Sequence, residues 1–158
     1  MIFAEELGDI FERGKDCYLA HCISGDYALG AGVAVRFREM GVADLLKENY
    51  PEVCKNYKPC CLETTAGNKS EDYKGVFNLV TKEKYWQKPT YDSLKDALID
   101  MREQIAAKYA QGEKITVVMP RIGCGLDKLD WNVVDEIITD VFIDAKVILI
   151  ACKLPENR

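Results

Sequence analysis

Histidine is almost missing from this chain: His21 is the only one in 158 residues. The seven cysteines (Cys17, Cys22, Cys54, Cys60, Cys61, Cys124 and Cys152) form no C-x-x-C pair. Together these gaps remove the clustered Cys and His spacing of a zinc site, so no metal is expected. The cysteine count is odd, and several thiols lie inside apolar runs (CYLAHCI, VILIAC), where a thiol acts as a small hydrophobe. They read as reduced core cysteines of a cytosolic protein. No apolar run approaches the ~20 residues of a membrane span. The opening MIFAEELGDIFERG lacks the charged-then-apolar order of a signal peptide. The expectation is a soluble, cytoplasmic chain with no membrane partner. Positive charge is scarce too, with 21 Lys and Arg against 26 Asp and Glu and no basic tail. General affinity for a nucleic-acid backbone, which needs many phosphate neutralisations, is thereby disfavoured. A nucleotide can still be held locally by backbone N–H groups and helix N-termini.

What is present is an ordinary globular composition, 48% hydrophobic and 30% charged, with length enough for one core. No repeat, low-complexity tract or linker divides it, so residues 1–158 are read as a single domain, taken as a monomer. Strands are expected at 2–7, 17–23, 59–66, 75–80, 115–119 and 146–152. The pair 59–66 and 75–80 reads as a hairpin joined by GNKSEDYKG. Val33, Ala34, Phe37 and Met40 make a helical stripe closed by Gly41, and a second short helix over Val42–Leu46 ends before Pro51. Thr90 is read as the N-cap of a long helix with Leu94, Ala97, Leu98, Met101 and Ile105 inward. Asp130 caps a last helix facing Val134, Ile137, Ile138, Val141 and Phe142 to the core. This order gives an α/β fold with a mixed sheet between helices.

Open α/β sheets place ligands at strand ends, and four such loops carry chemistry. They are Gly8-Asp9-Ile10, Ser24 to Val33, Thr81-Lys82, and Arg121 to Asp127. In GAGVAV (30–35) a glycine turn runs straight into a helix, so free N–H groups can face a phosphate. IGCG (122–125) is a second such turn, and two could cradle a pyrophosphate. Asp9 could accept from an exocyclic amine such as adenine's, or simply cap a turn. His21, inside an apolar run, reads as a core histidine; nothing in the spacing pairs it with Cys124 as a nucleophile. Lys82 leaves a strand end, where a desolvated amine could attack an electrophilic carbon with Asp127 moving protons. Read locally, in TKEKYWQK, it is a solvated charge.

The segments GDIF (8–11), LAHCIS (19–24), GAGVAV (30–35), LVTKEKYWQKPTY (79–91) and MPRIGCGLDKLDW (119–131) stand in the order of a known family. Over nearly the whole chain the sequence resembles a macrodomain of the terminal ADP-ribose protein glycohydrolase branch. The resemblance implies a three-layer α/β/α sandwich with a mixed six-stranded sheet that binds ADP-ribose in a cleft at its crest. By resemblance, Asp9 and Ile10 meet the adenine, and His21, Ser24, Gly30, Ala31, Gly32 and Val33 line the ribose and phosphate side. Thr81, Arg121, Ile122, Gly123, Cys124, Gly125 and Leu126 close the site from the other side, and Leu154 lies against the adenosine. Lys82 then corresponds to the nucleophile and Asp127 to the acid/base, with no cofactor. The implied reaction removes ADP-ribose from carboxylate esters, either glutamyl-ADP-ribose in protein or O-acetyl-ADP-ribose. The alternatives are a non-catalytic ADP-ribose-binding module and an antitoxin-like hydrolase of ADP-ribosylated DNA. Residues 51–74 match no motif, so substrate preference is assigned to that flank, and the acidic Glu5 and Glu6 are given no role at the ligand.

Overall fold

Strict alternation along buried strands gives this chain two cores. On β2 (Tyr18–Ser24), Leu19 and Ile23 join one apolar cluster while Tyr18 and Ala20 join the other. Val118 and Val117 on β5 (Thr116–Pro120), and Ile150 and Leu149 on β6 (Ile148–Lys153), divide in the same way. Strands apolar on both faces must be covered on both faces, and the helices supply the cover. The computed structural model, which describes residues 1–155, places four helices over the first cluster. They are α1 (Ile10–Arg13), α2 (Ala34–Glu39), α3 (Val42–Asn49) and α4 (Pro51–Lys55). Helices α5 (Tyr91–Ala110) and α6 (Trp131–Phe142) cover the second.

With β1 (Ile2–Leu7), β3 (Cys60–Thr64) and β4 (Gly75–Lys82), the sheet has six strands in the order β1-β6-β5-β2-β4-β3. Every neighbouring pair is parallel except β3 with β4, which is antiparallel. The expected three-layer sandwich and mixed six-stranded sheet are what the chain forms.

The cap residues act as their sequence positions imply. Thr90 accepts from the Ser93 backbone N–H at 2.9 Å, and Ser93 Oγ accepts from the Thr90 N–H at 3.0 Å. This reciprocal box satisfies two otherwise orphaned donors of α5. Asp130 accepts from the Asn132 N–H at 2.9 Å and starts α6. Gly41, at φ +94°, ends α2 in the left-handed conformation. Two helices escaped the sequence reading: α1 and α4, of 4 and 5 residues, are too short to show a periodic stripe. Part of the 51–74 segment is built into the scaffold. Its 3₁₀ turn, Gly67–Lys69, locks onto the α2–α3 junction, with the Asn68 N–H donating to Met40 O at 2.9 Å and Asn68 Nδ2 to Glu39 O at 3.1 Å.

Candidate active site at the crest of the sheet

The parallel strands β2 and β5 lie side by side, yet their chains leave in opposite directions. After β2 the chain turns to α2 on one face, and after β5 to α6 on the other. Where neighbouring connections diverge like this, a crevice opens beyond the strand ends. Here it is a cavity of about 1000 Å³. Its walls are the β2–α2 loop, the start of the β4–α5 loop, the β5–α6 loop and the end of β6. Of the residues expected at a ligand, Ser24, Gly30, Ala31, Gly32, Val33, Lys82, Arg121 to Asp127, and Leu154 all line it.

Lys82 and Asp127 meet in this cavity. Lys82 Nζ donates to Asp127 Oδ1 at 2.8 Å, and the two side chains are only 15% and 16% exposed. The local reading of Lys82 as a solvated charge is therefore wrong. It misled because the partner lies 45 residues further along the chain. Beside Lys82, across the β2–β4 seam, sits Ser24, turned by a shift in register between Ile23 and Ser24. An irregularity of that kind re-aims a side chain at a strand end.

The two glycine turns face each other across the cavity. A Cβ added at Gly32, whose φ is +61°, would stand 3.5 Å from Leu126 Cδ1 on the opposite loop. Helix α2 has only six residues and no side-chain cap on its first turn, so its contribution is exposed N–H groups more than a macrodipole. In the second turn, Gly123 takes φ +75°, and its carbonyl accepts from the Leu129 N–H at 2.7 Å. That bond folds the loop back and carries Asp127 to Lys82. Lys88 Nζ donates to Leu126 O at 2.8 Å and ties the β4–α5 loop to the same turn.

Three residues left without a site role organise the walls. Glu5 Oε1 accepts from Arg121 Nη2 at 2.8 Å and from Trp131 Nε1 at 3.0 Å, with the guanidinium 5.2 Å from the indole centre. The acidic β1 therefore orients the cationic wall, a role no local pattern of Glu5 announces. Asp26 accepts from Ser24 Oγ at 2.5 Å, the Ala28 N–H at 3.1 Å and the Tyr85 N–H at 2.9 Å. Burial alone would raise its carboxyl, but these donors outweigh it and hold Asp26 below the usual range. Trp131, half-buried, lines the cavity itself.

Four expected ligand residues are not among those lining this cavity. His21 is fully buried on the α2 side, stacked on Phe37 at 3.8 Å and 2.6 Å from Asn78 Oδ1. Asn78 Nδ2 already donates to Leu62 O and Thr64 Oγ1, so its oxygen takes the His21 Nε2–H. Assigning His21 to the ligand is corrected to a core role, and Cys124 packs with the cluster on the opposite side of the sheet. Thr81 is 2% exposed, behind Lys82, in the wall of a smaller hollow that includes Ser93 and Thr90. Asp9 caps α1 through Oδ1, which accepts from the Phe11 N–H at 3.0 Å, and the Ile10 side chain is buried in the core. Both stand outside the cavity lining, at the strand end next to Lys153.

None of the thiols is primed for attack. Burial pushes Cys124 up to about 11, and burial with Asp127 nearby pushes Cys22 up to about 12. All seven cysteines are free, and burial shifts each of them upward. Among the described residues, no group of three or more His, Cys, Asp or Glu side chains converges as a metal site.

No protein-family model matches the sequence. The chain is 36% identical over 137 residues to the ADP-ribose glycohydrolase OARD1 of Homo sapiens, covering 85% of this chain and 80% of that protein. Its fold is similar to the macrodomain of Thermus aquaticus DarG, with TM-score 0.74 and 16% identity over 96% of this chain and 98% of that one. The macrodomain of Mycobacterium tuberculosis DarG gives TM-score 0.71 and 18% identity over 96% and 97%. At such identities the likeness to the two DarG structures is one of fold alone.

Proposed function

This chain belongs to the macrodomain family, and from that premise we propose that it is a hydrolase that binds ADP-ribose and removes it from carboxylate esters. Glutamyl-ADP-ribose in protein and O-acetyl-ADP-ribose are the substrate class. The carrying observation is the 2.8 Å contact between Lys82 Nζ and Asp127 Oδ1, held inside a cavity walled by two glycine turns. The cavity volume, about 1000 Å³, suits a dinucleotide-sized ligand. Main-chain N–H groups of the 30–33 and 122–126 turns take the diphosphate, while the distal ribose lies between Ser24 and Lys82.

In this reading Asp127 accepts a proton from the Lys82 ammonium, freeing the amine's lone pair. Lys82 Nζ bonds to the anomeric carbon, and the C–O bond to the acyl group breaks with its electron pair leaving on the carboxylate. A carboxylate is a stable leaving group at neutral pH, so no separate acid is needed. Water then adds to the same carbon and the C–N bond breaks. The amine regains a proton, and free ADP-ribose, a carboxylate and one proton depart.

Lys82→Ala tests this directly. Release of ADP-ribose from a glutamate-modified protein should fall on the order of 10³-fold or more, the scale for loss of a covalent nucleophile. Affinity for ADP-ribose should stay nearly intact. The lysyl N-glycoside can lose its N–H proton and break the ring C–O bond to give an open-chain imine. Borohydride added during turnover should reduce that imine and leave the mass of ADP-ribose on Lys82. Normal turnover by Lys82→Ala rules the lysine route out. Binding without release, from either ADP-ribosylated glutamate or ADP-ribosylated DNA, would make the chain a binding module instead.

A further inference from the structure

We propose that Asp26 is a positioning residue that orients Ser24 towards the sugar beside Lys82 and pins the turn that follows Lys82. The inference rests on the placement of the distal ribose given above. Asp26 stands one residue beyond Gly25, whose N–H donates to Lys82 O at 2.8 Å, so it rises from the seam that carries the amine. Its Oδ1 takes the Ser24 hydroxyl proton at 2.5 Å and the Ala28 N–H at 3.1 Å. Its Oδ2 takes the Tyr85 N–H at 2.9 Å. One carboxylate thus joins the β2–α2 loop to the turn immediately after the amine.

The consequence for Ser24 is chemical. An ionised carboxylate only accepts, so the serine proton points at Asp26 and Ser24 Oγ is left with lone pairs alone. Ser24 is 5% exposed and lines the cavity, so those lone pairs can serve only a donor within it. The donors on offer are a sugar hydroxyl and the Lys82 ammonium. A hydroxyl that donates to Ser24 is held in one rotamer beside the anomeric carbon, where misplacement by about 1 Å costs on the order of 100-fold in rate. Tyr85, another cavity residue, fixes the far end of the tether.

Asparagine cannot replace this group, because three donors meet its two oxygen positions and one of those would become an NH₂. The experiment compares wild type, Asp26→Asn, Asp26→Ala, Ser24→Ala and the Asp26→Ala/Ser24→Ala double variant, each checked for an unchanged unfolding transition. Affinities for ADP-ribose and for ADP, which lacks the distal ribose, are measured beside kcat and KM. The expected result is a loss of ADP-ribose affinity of about fivefold, one hydrogen bond's worth, with ADP affinity unchanged. In the Asp26 variants kcat falls on the order of ten- to a hundredfold. The double variant loses at least about threefold less than the product of the single losses, as coupled groups do.

Equal losses for ADP and ADP-ribose, strictly multiplicative losses in the double variant, or wild-type kcat in Asp26→Asn would each overturn the inference. A wild-type protein that binds no ADP-ribose strikes the underlying functional reading instead, and does so before any variant is compared. Binding without turnover leaves the affinity comparison as the decisive arm.

Discussion

His21 shows how the same residue can look chemical in a sequence and be structural in the fold. Burial pushes its pKa down to about 4, against the partial support of Asn78. The ring is neutral in the folded chain, with Nε2–H spent on Asn78 and Nδ1 unpartnered. Well above pH 6.5 the folded and unfolded forms bind the same number of protons here, and stability is at its full value. Between pH 6.5 and about 4 the unfolded chain takes up a proton that the folded chain refuses, so stability falls with pH across that window. From pH 7 to pH 5 the loss should be on the order of 2 kcal/mol, read as a lower urea midpoint. His21→Asn should lower stability at pH 7 but flatten this slope, and an equally steep slope in the variant would reject the assignment. No other histidine exists to confuse the result.

At the level of elements, the legible parts were those that local chemistry determines. Thr90 and Asp130 cap their helices because side-chain oxygens two or three residues ahead of free N–H groups have nowhere better to go. The long stripe of α5 was equally plain. Helices α1 and α4 were not, since a turn or so of helix gains its stability from what it packs against. The packing of the 51–74 segment was not legible either. Gly67 sits at φ +57°, and a Cβ there would come 2.0 Å from Met40 O, a backbone atom that cannot swing aside. The tight approach explains the glycine and ties the β3–β4 connection to the helical layer. Gly67→Ala should therefore destabilise the fold by about 2–4 kcal/mol, combining a strained φ with a backbone clash. Chemical denaturation measures this, and a change under about 0.5 kcal/mol would show that the junction yields.

On the scale of the whole molecule, the site exists because the sheet changes the side of its connections between β2 and β5. Four loops distant in sequence converge there, and no local window contains Lys82 together with Asp127, or Glu5 together with Arg121 and Trp131. This is why the residues alone left Lys82 as a surface charge, while the order of motifs along the chain pointed to the pairing. Asp26 and Glu5 stayed invisible for a further reason. Their work is done on other side chains and amides, and such partners are set only once the strands are in register. The Lys82–Asp127 pairing, the facing glycine turns and the position of Leu154 are the parts of the cleft that the family resemblance made legible.

Burial of sulfur in this fold has a practical outcome. With Cys124 pushed up to about 11, its thiolate fraction at pH 7.5 lies below roughly a thousandth, and no neighbouring imidazole can raise it. Iodoacetamide at that pH should therefore leave ADP-ribose release undiminished over an hour, with intact mass showing the native chain largely free of carbamidomethyl groups and all seven sites reacting only after unfolding. Rapid inactivation, with the label on Cys124 or Cys22, would contradict this. A protein so rich in sulfur would then behave towards electrophiles and mild oxidants as one almost devoid of it, able to work on through conditions that silence enzymes dependent on an exposed thiol.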